Sequence, residues 1–124
     1  AIWCALRAYG RSGYREMVER CLDNASKFGA WIDANPHTEL MAPVALNMVC
    51  WRYVVDSMPD DELDAFNRRA VSAIQRDGRA LLTPTVWQGK QAIRCAFDNW
   101  ATTAADVQIL QEAVTEIWNA MLPG

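Results

Sequence analysis

Apolar positions change their spacing along the chain, and those changes mark out its elements. From Tyr14 they recur at Met17, Val18, Cys21, Leu22, Ala25, Phe28 and Ile32, the three-and-four spacing of an amphipathic helix. Asn35-Pro36 ends that helix, because the residue before a proline avoids the helical region. The pattern then condenses into a long apolar stretch from Val44 to Val54, rich in β-branched and aromatic residues, which predicts a central strand. Apolar side chains stand at both parities, Leu46, Met48 and Cys50 against Val49, Trp51 and Tyr53, so cover is expected on both faces. Thr38 to Met41 predicts a short neighbouring strand, with Pro43 favouring an edge or a bend after it.

The second half repeats the alternation. Asp60 is the expected cap of a helix, and Asp61 and Glu62 add first-turn negative charge. That helix carries Leu63, Phe66, Ala70, Val71 and Ile74 on one face and stops at Asp77-Gly78. Arg79 to Trp87 and Lys90 to Phe97 predict a hairpin turning at Gln88-Gly89, with Pro84 weakening its first arm. Thr103 with Asp106 resembles a capping box and opens a last helix that points Val107, Leu110, Ala113, Val114, Ile117 and Met121 inward. Residues 1–9 look like the end of an earlier helix closed at Gly10, with Ser12 starting the next. The chain opens on Ala1-Ile2-Trp3-Cys4 without a cap residue, so it is expected to be a piece of a longer protein. The order α-β-β-α-β-β-α predicts an α+β fold, a small antiparallel sheet covered by helices.

Composition narrows the chemistry. With 124 residues, 52% hydrophobic and 22% charged, the chain can build one core without staples. A net charge of −3 and a pI near 5.0 argue against a phosphate-tracking surface, so no nucleic-acid partner is expected. Arg68, Arg69, Arg76 and Arg79 lie among acidic residues and read as a solvated face. Cys4, Cys21, Cys50 and Cys95 have no CxxC spacing and fall inside apolar patterns, which predicts buried, reduced thiols. The single histidine, His37, falls in a turn, so neither a metal site nor a Cys–His nucleophile is expected. No apolar run has the length of a membrane span and no signal peptide is recognisable; a soluble, cytoplasmic protein is the expectation. Six Trp are many for this length, and core and interface packing accounts for them better than substrate stacking; Trp87 and Trp100 fall nearest Arg94 in the pattern.

One ordered set of residues goes further. It runs from Leu6-Arg7-Ala8-Tyr9-Gly10 and Gly13 through the Phe28 region to Glu39-Leu40 and Val49-Cys50-Trp51-Arg52. It continues with Leu82-Thr83-Pro84, Ile93-Arg94 and Thr102-Thr103-Ala104-Ala105-Asp106-Val107. The set resembles the C-terminal small domain of the group II pyridoxal phosphate-dependent amino-acid decarboxylases, the family of aromatic-amino-acid and glutamate decarboxylases. Val49-Cys50-Trp51-Arg52 is similar to that family's Val-Cys-Phe-Arg strand. The resemblance implies a fold type I enzyme, a homodimer whose large domain holds pyridoxal phosphate as the electron sink for CO₂ loss from a small amino acid. It implies that residues 1–11 end the interdomain connecting helix and that residues 12–124 are the small domain, the cofactor-binding domain lying outside this chain.

In that family the Schiff-base lysine follows a histidine in the large domain, whereas Lys27 and Lys90 follow none here. The resemblance therefore implies that this chain alone carries no catalytic residue, binds no cofactor and decarboxylates nothing. Arg94 is similar in position to the arginine of the Phe-Arg-Met strand that binds a substrate carboxylate in the glutamate branch. A guanidinium suits bidentate carboxylate recognition. Arg94 could equally pair with a carboxylate such as Asp98 or span the domain interface, and Ile93 and Cys95 depart from the glutamate branch. Arg52 poses the same choice between a structural ion pair and a reach across to the large domain. Two other readings stay open: a self-contained α+β ligand-binding or regulatory dimerisation module, and a homologue running another carbonyl reaction such as aldehyde formation or sulfur removal. Aromatic, acidic and diaminobutyrate-type substrates all fit.

Overall fold

The predicted alternation is realised as α1 (Ile2–Ala34), β1 (Thr38–Leu40), β2 (Met48–Tyr53), α2 (Asp60–Asp77), β3 (Thr83–Trp87), β4 (Lys90–Ala96) and α3 (Ala104–Met121). The computed structural model describes residues 2–44, 47–78, 82–97 and 103–122, with side chains except at 2–9, 14 and 104. The strands pair antiparallel in the order β1-β2-β4-β3, which bears out the α+β expectation.

Local chemistry explains the element ends. Gly10, at φ 73°, breaks the helical path inside α1, a conformation L side chains avoid, and the helix resumes at once on its far side. Thr103 and Asp106 close the predicted capping box, with the Asp106 N–H donating to the Thr103 hydroxyl and the Thr103 N–H to the Asp106 carboxylate. Helix α2 corrects the expectation for Asp60: the cap position is Pro59, extended and without a side-chain hydrogen bond. Asp60, Asp61 and Glu62 occupy the first turn, where their charge faces the positive helix end. The hairpin turns at Gln88-Gly89, both at positive φ, as its two-residue loop requires. That turn makes Trp87 and Lys90 a hydrogen-bonded pair, so Pro84, opposite Ile93, falls on a rung whose N–H would point away from β4. Proline is tolerated there because β3 is an edge strand.

The core lies on one side of the sheet. Val49, Trp51 and Tyr53 of β2 and Ile93 and Cys95 of β4 meet Phe28 and Ile32 of α1, Phe66, Ala70 and Ile74 of α2, and Val114 and Trp118 of α3. The central strand is shorter than its apolar run, and cover on both faces is not what forms. Met48 is 37% exposed, Cys50 is half-buried and Arg94 is exposed, so the opposite face is open around Arg94, whereas Arg52 and Ala92 on the same face are buried. Ala45 and Leu46 lie outside the described residues. The α1 stripe is buried from Ala25 onward, whereas Met17, Cys21 and Leu22 are half-buried and Val18 is 39% exposed.

Strands β2 and β4 pair as far as Trp51 with Ile93 and then fork. The next hydrogen-bonded rung would join Tyr53 to Gln91. Helix α2 fills that gap with two residues one turn apart. Asn67, fully buried, accepts from the Tyr53 N–H at 2.7 Å and donates to the Tyr53 carbonyl at 3.0 Å and the Leu63 carbonyl at 2.9 Å. Asp64 accepts from the Gln91 N–H at 2.9 Å. The side chains of α2 thus stand in for a strand's backbone where the strands part.

Two stability predictions follow from this geometry. Asn67→Leu fills the same space but leaves the Tyr53 N–H and carbonyl unpaired; a loss of about 2–5 kcal/mol is expected in urea unfolding, and a loss under about 1 kcal/mol would show that the fork needs no clamp. The Tyr53 hydroxyl donates to the Val114 carbonyl at 2.6 Å, and burial pushes its phenol well above the ordinary tyrosine range. The folded state therefore holds this proton more tightly than the unfolded chain. The resulting stability is present in full below about pH 10 and drains away as pH rises beyond it. Tyr53→Phe should cost about 1 kcal/mol at neutral pH and flatten the alkaline decline measured by thermal unfolding between pH 8 and 11.

Candidate functional site

Side chains alternate across a strand, so the register decides which residues share the open face. Arg94 pairs with Cys50 on one side and Thr83 on the other, and all three belong to that face. In the adjacent row Glu39 stands opposite Arg52. Counting rungs from the hairpin turn makes Thr83–Arg94 a hydrogen-bonded pair and Cys50–Arg94 a non-bonded one, the kind whose side chains stand closer.

The two arginines differ sharply. Arg52 is buried, its Nε donates to the Glu39 carboxylate at 2.9 Å, and its Nη1 lies 4.0 Å from the Asp60 carboxylate. Of the two readings open for Arg52, the structural ion pair is the one this geometry forms. It ties edge strand β1 to β2 and reaches toward the first turn of α2. The same Nη1 is buried without a hydrogen-bond partner, as is Trp51 Nε1. Arg94 is exposed, and among the described residues no carboxylate pairs with it. Its proposed alternative partner, Asp98, lies outside the described residues, as does Trp100. Trp87 shares Arg94's face at 39% exposure, but the four-residue separation along β3 puts it about 13 Å from the Arg94 rung, too far to act there.

The remaining candidates fall elsewhere. Cys50 is half-buried and burial pushes its thiol up, so it stands beside Arg94 as a neutral SH group. Cys95 is buried in the core and Cys21 half-buried on α1; none of these three forms a disulfide. His37 sits in the predicted turn, its ring stacked 4.4 Å from that of Trp118. Lys27 is held by Asp23 at 3.0 Å on an exposed face of α1. Lys90 sits half-buried beside the hairpin turn. Among the described residues no three His, Cys, Asp or Glu gather to hold a metal, and no helix is long and apolar enough to cross a membrane. A shallow depression lined by Trp31, Gln108, Gln111 and Glu112 lies on the helical side of the sheet, away from Arg94. The neighbours of Arg94 are what the sequence left unassigned. Thr83 could have been found by counting back from the Gln88-Gly89 turn, whereas Cys50 could not, because the β2–β4 register is a tertiary contact.

Comparison with known proteins places this geometry in context. No family model matches the chain. It is 26% identical over 125 residues to tyrosine decarboxylase 4 of Petroselinum crispum, covering 98% of this chain and 25% of that protein. It is 25% identical over 96 residues to a phenylacetaldehyde synthase of Arabidopsis thaliana, covering 77% of this chain and 20% of that protein. The fold matches the crystal structure of Oryza sativa TDC with PLP and tryptamine at a TM-score of 0.87 and 19% identity, covering 98% of this chain and 26% of that one. The chain thus spans about a quarter of the length of the curated relatives it matches.

The contrast between the arginines gives a measurable expectation. Glu39→Gln should cost about 1–2 kcal/mol in unfolding free energy, less than breaking a sealed pair, because the Glu39 side chain is 47% exposed. Arg94→Gln should stay within about 0.5 kcal/mol of the parent in the same measurement on this chain. Equal losses would mean that Arg94 has a structural partner.

Proposed function

We infer from this double likeness, of sequence and of fold, to the group II pyridoxal phosphate-dependent amino-acid decarboxylases that the chain is the small C-terminal domain of such an enzyme. The carrying observation is the coverage: nearly all of this chain matches about a quarter of each relative, in sequence and in fold. Residues 12–124 form the domain, and residues 1–11 end the helix that connects it to a large cofactor-binding domain, with the Gly10 break at the junction. The open sheet face and the half-exposed Met17–Leu22 stripe of α1 supply the apolar surface that such a domain, in a cytoplasmic homodimer, would cover.

The lysines here do not fit the cofactor. Lys27 is committed to Asp23 and Lys90 flanks a surface turn, so neither suits a Schiff-base link to pyridoxal phosphate, and no chemical step is assigned to this chain. Its own contribution is Arg94. An exposed guanidinium rising from a sheet face, without a partner among the described residues, is suited to holding the carboxylate of an amino-acid substrate. The curated relatives favour an aromatic substrate. The likeness to phenylacetaldehyde synthases supports a second reading, aldehyde formation from the same class of amino acid.

The full-length protein tests both. Purified protein should be yellow and should release CO₂ and an amine from L-tyrosine or L-tryptophan, and the 124-residue chain alone should do neither; an aldehyde in place of the amine would select the second reading. Arg94→Ala should raise KM about ten- to a hundredfold, the range of a lost charge-assisted contact. An unchanged kcat/KM with lowered stability would instead make Arg94 an interface residue.

A further inference from the structure

Two arginines rise from one sheet face in adjacent rows, and the register treats them differently. Arg52 has an acid, Glu39, directly across its rung, and the pair closes at 2.9 Å. Arg94 has Cys50 and Thr83 across its rungs, and Ala92 and Ala96 two residues away on its own strand. Directly opposed side chains on one face stand about 4.5–5.5 Å apart at Cβ, so an acid at any facing position would capture the guanidinium. None of these four residues is acidic. The Cys50 rung is the non-bonded kind, where side chains approach most closely, and a glutamate there would reproduce the Glu39–Arg52 pair.

We propose that position 50 determines specificity at Arg94: as a small, uncharged residue on the closest rung, Cys50 leaves the guanidinium without an acid across β2 and open to the carboxylate of a small amino acid. The proposal rests on the substrate-binding reading of Arg94 given above. Cys50 is a positioning residue that acts through Arg94 and touches no reacting atom. The thiol suits this role because it stays neutral and is too short to compete for the guanidinium.

The test compares C50E with C50Q in the full-length holoenzyme, two side chains of nearly equal size that differ in charge. With L-tyrosine, C50E should raise KM about tenfold or more above C50Q, with kcat alike in the two. In an Arg94→Ala background the two substitutions should give the same KM, because the group they act through is gone. Thr83→Glu against Thr83→Gln approaches the same guanidinium from the exposed edge strand and should show the same charge-specific rise, which covers the case of C50E failing to fold. Equal KM values for C50E and C50Q with Arg94 in place, or a difference that persists without Arg94, would overturn the proposal. If Arg94→Ala alone leaves KM unchanged, the substrate-binding reading itself fails, whatever stands at position 50.

Discussion

The sheet depends on one buried amide. Strands β2 and β4 have to part after Trp51 and Ile93, and parting leaves the Tyr53 N–H and carbonyl facing a gap inside the core. A backbone group buried without a partner costs more than a typical hydrogen bond contributes, so the fork is tolerable only if something replaces the missing strand. Asn67 does so with its oxygen and one N–H, while its amide also donates to the Leu63 carbonyl within α2. Because Asn67 belongs to α2, the clamp also fixes where that helix crosses the sheet. Asp64, one turn earlier, takes the Gln91 N–H and makes the placement two-pointed. An apolar residue at position 67 would suit the helix pattern and fail the sheet.

Around that clamp the aromatic residues form a continuous packed series. Tyr53 meets Trp51 at 5.0 Å, Trp118 at 5.6 Å and Phe66 at 6.0 Å between ring centroids, and Trp51 meets Phe28 at 6.1 Å. Sheet and all three helices are therefore joined through rings. Such pairs add about 0.5–1.5 kcal/mol each beyond the area they bury, which suits a small domain whose sheet packs helices on one side only. The high Trp content is thereby accounted for in part: Trp51 and Trp118 are core residues and Trp31 borders the core, with no substrate-stacking role needed for them.

Most of the element order was legible because local signals agreed with the global arrangement. The Thr103–Asp106 box, the Gln88-Gly89 turn, the Gly78 end of α2 and the periodicity from Ala25 to Ile32 each specify a structure within one turn or one hairpin. The misreadings came where the deciding contact is remote. Met48 and Cys50 are apolar, and periodicity alone makes them core residues; they lie on the open face because all three helices bring their buried side chains to the other one. Asp60 has the composition of a cap, but Pro59 already holds the extended geometry that the position needs. Asn67 is a polar residue beside Phe66 and Ala70 on the apolar face of α2. Its role becomes visible only when the β2–β4 fork is placed beside it.

The same limit applies to the candidate site. Arg94 could be singled out from the sequence, but its availability could not, because availability is a property of its neighbours in three dimensions. Arg52 shows the alternative on the same face: an arginine with an acid on its rung is held by that acid and becomes a strut between strands. Arg94 differs in having Cys50 and Thr83 where Arg52 has Glu39. A sheet face that is closed at Arg52 and open at Arg94 separates a buried arginine from an exposed one by one row. The residue type on the facing rung, an acid for Arg52 and a thiol for Arg94, is what distinguishes the two.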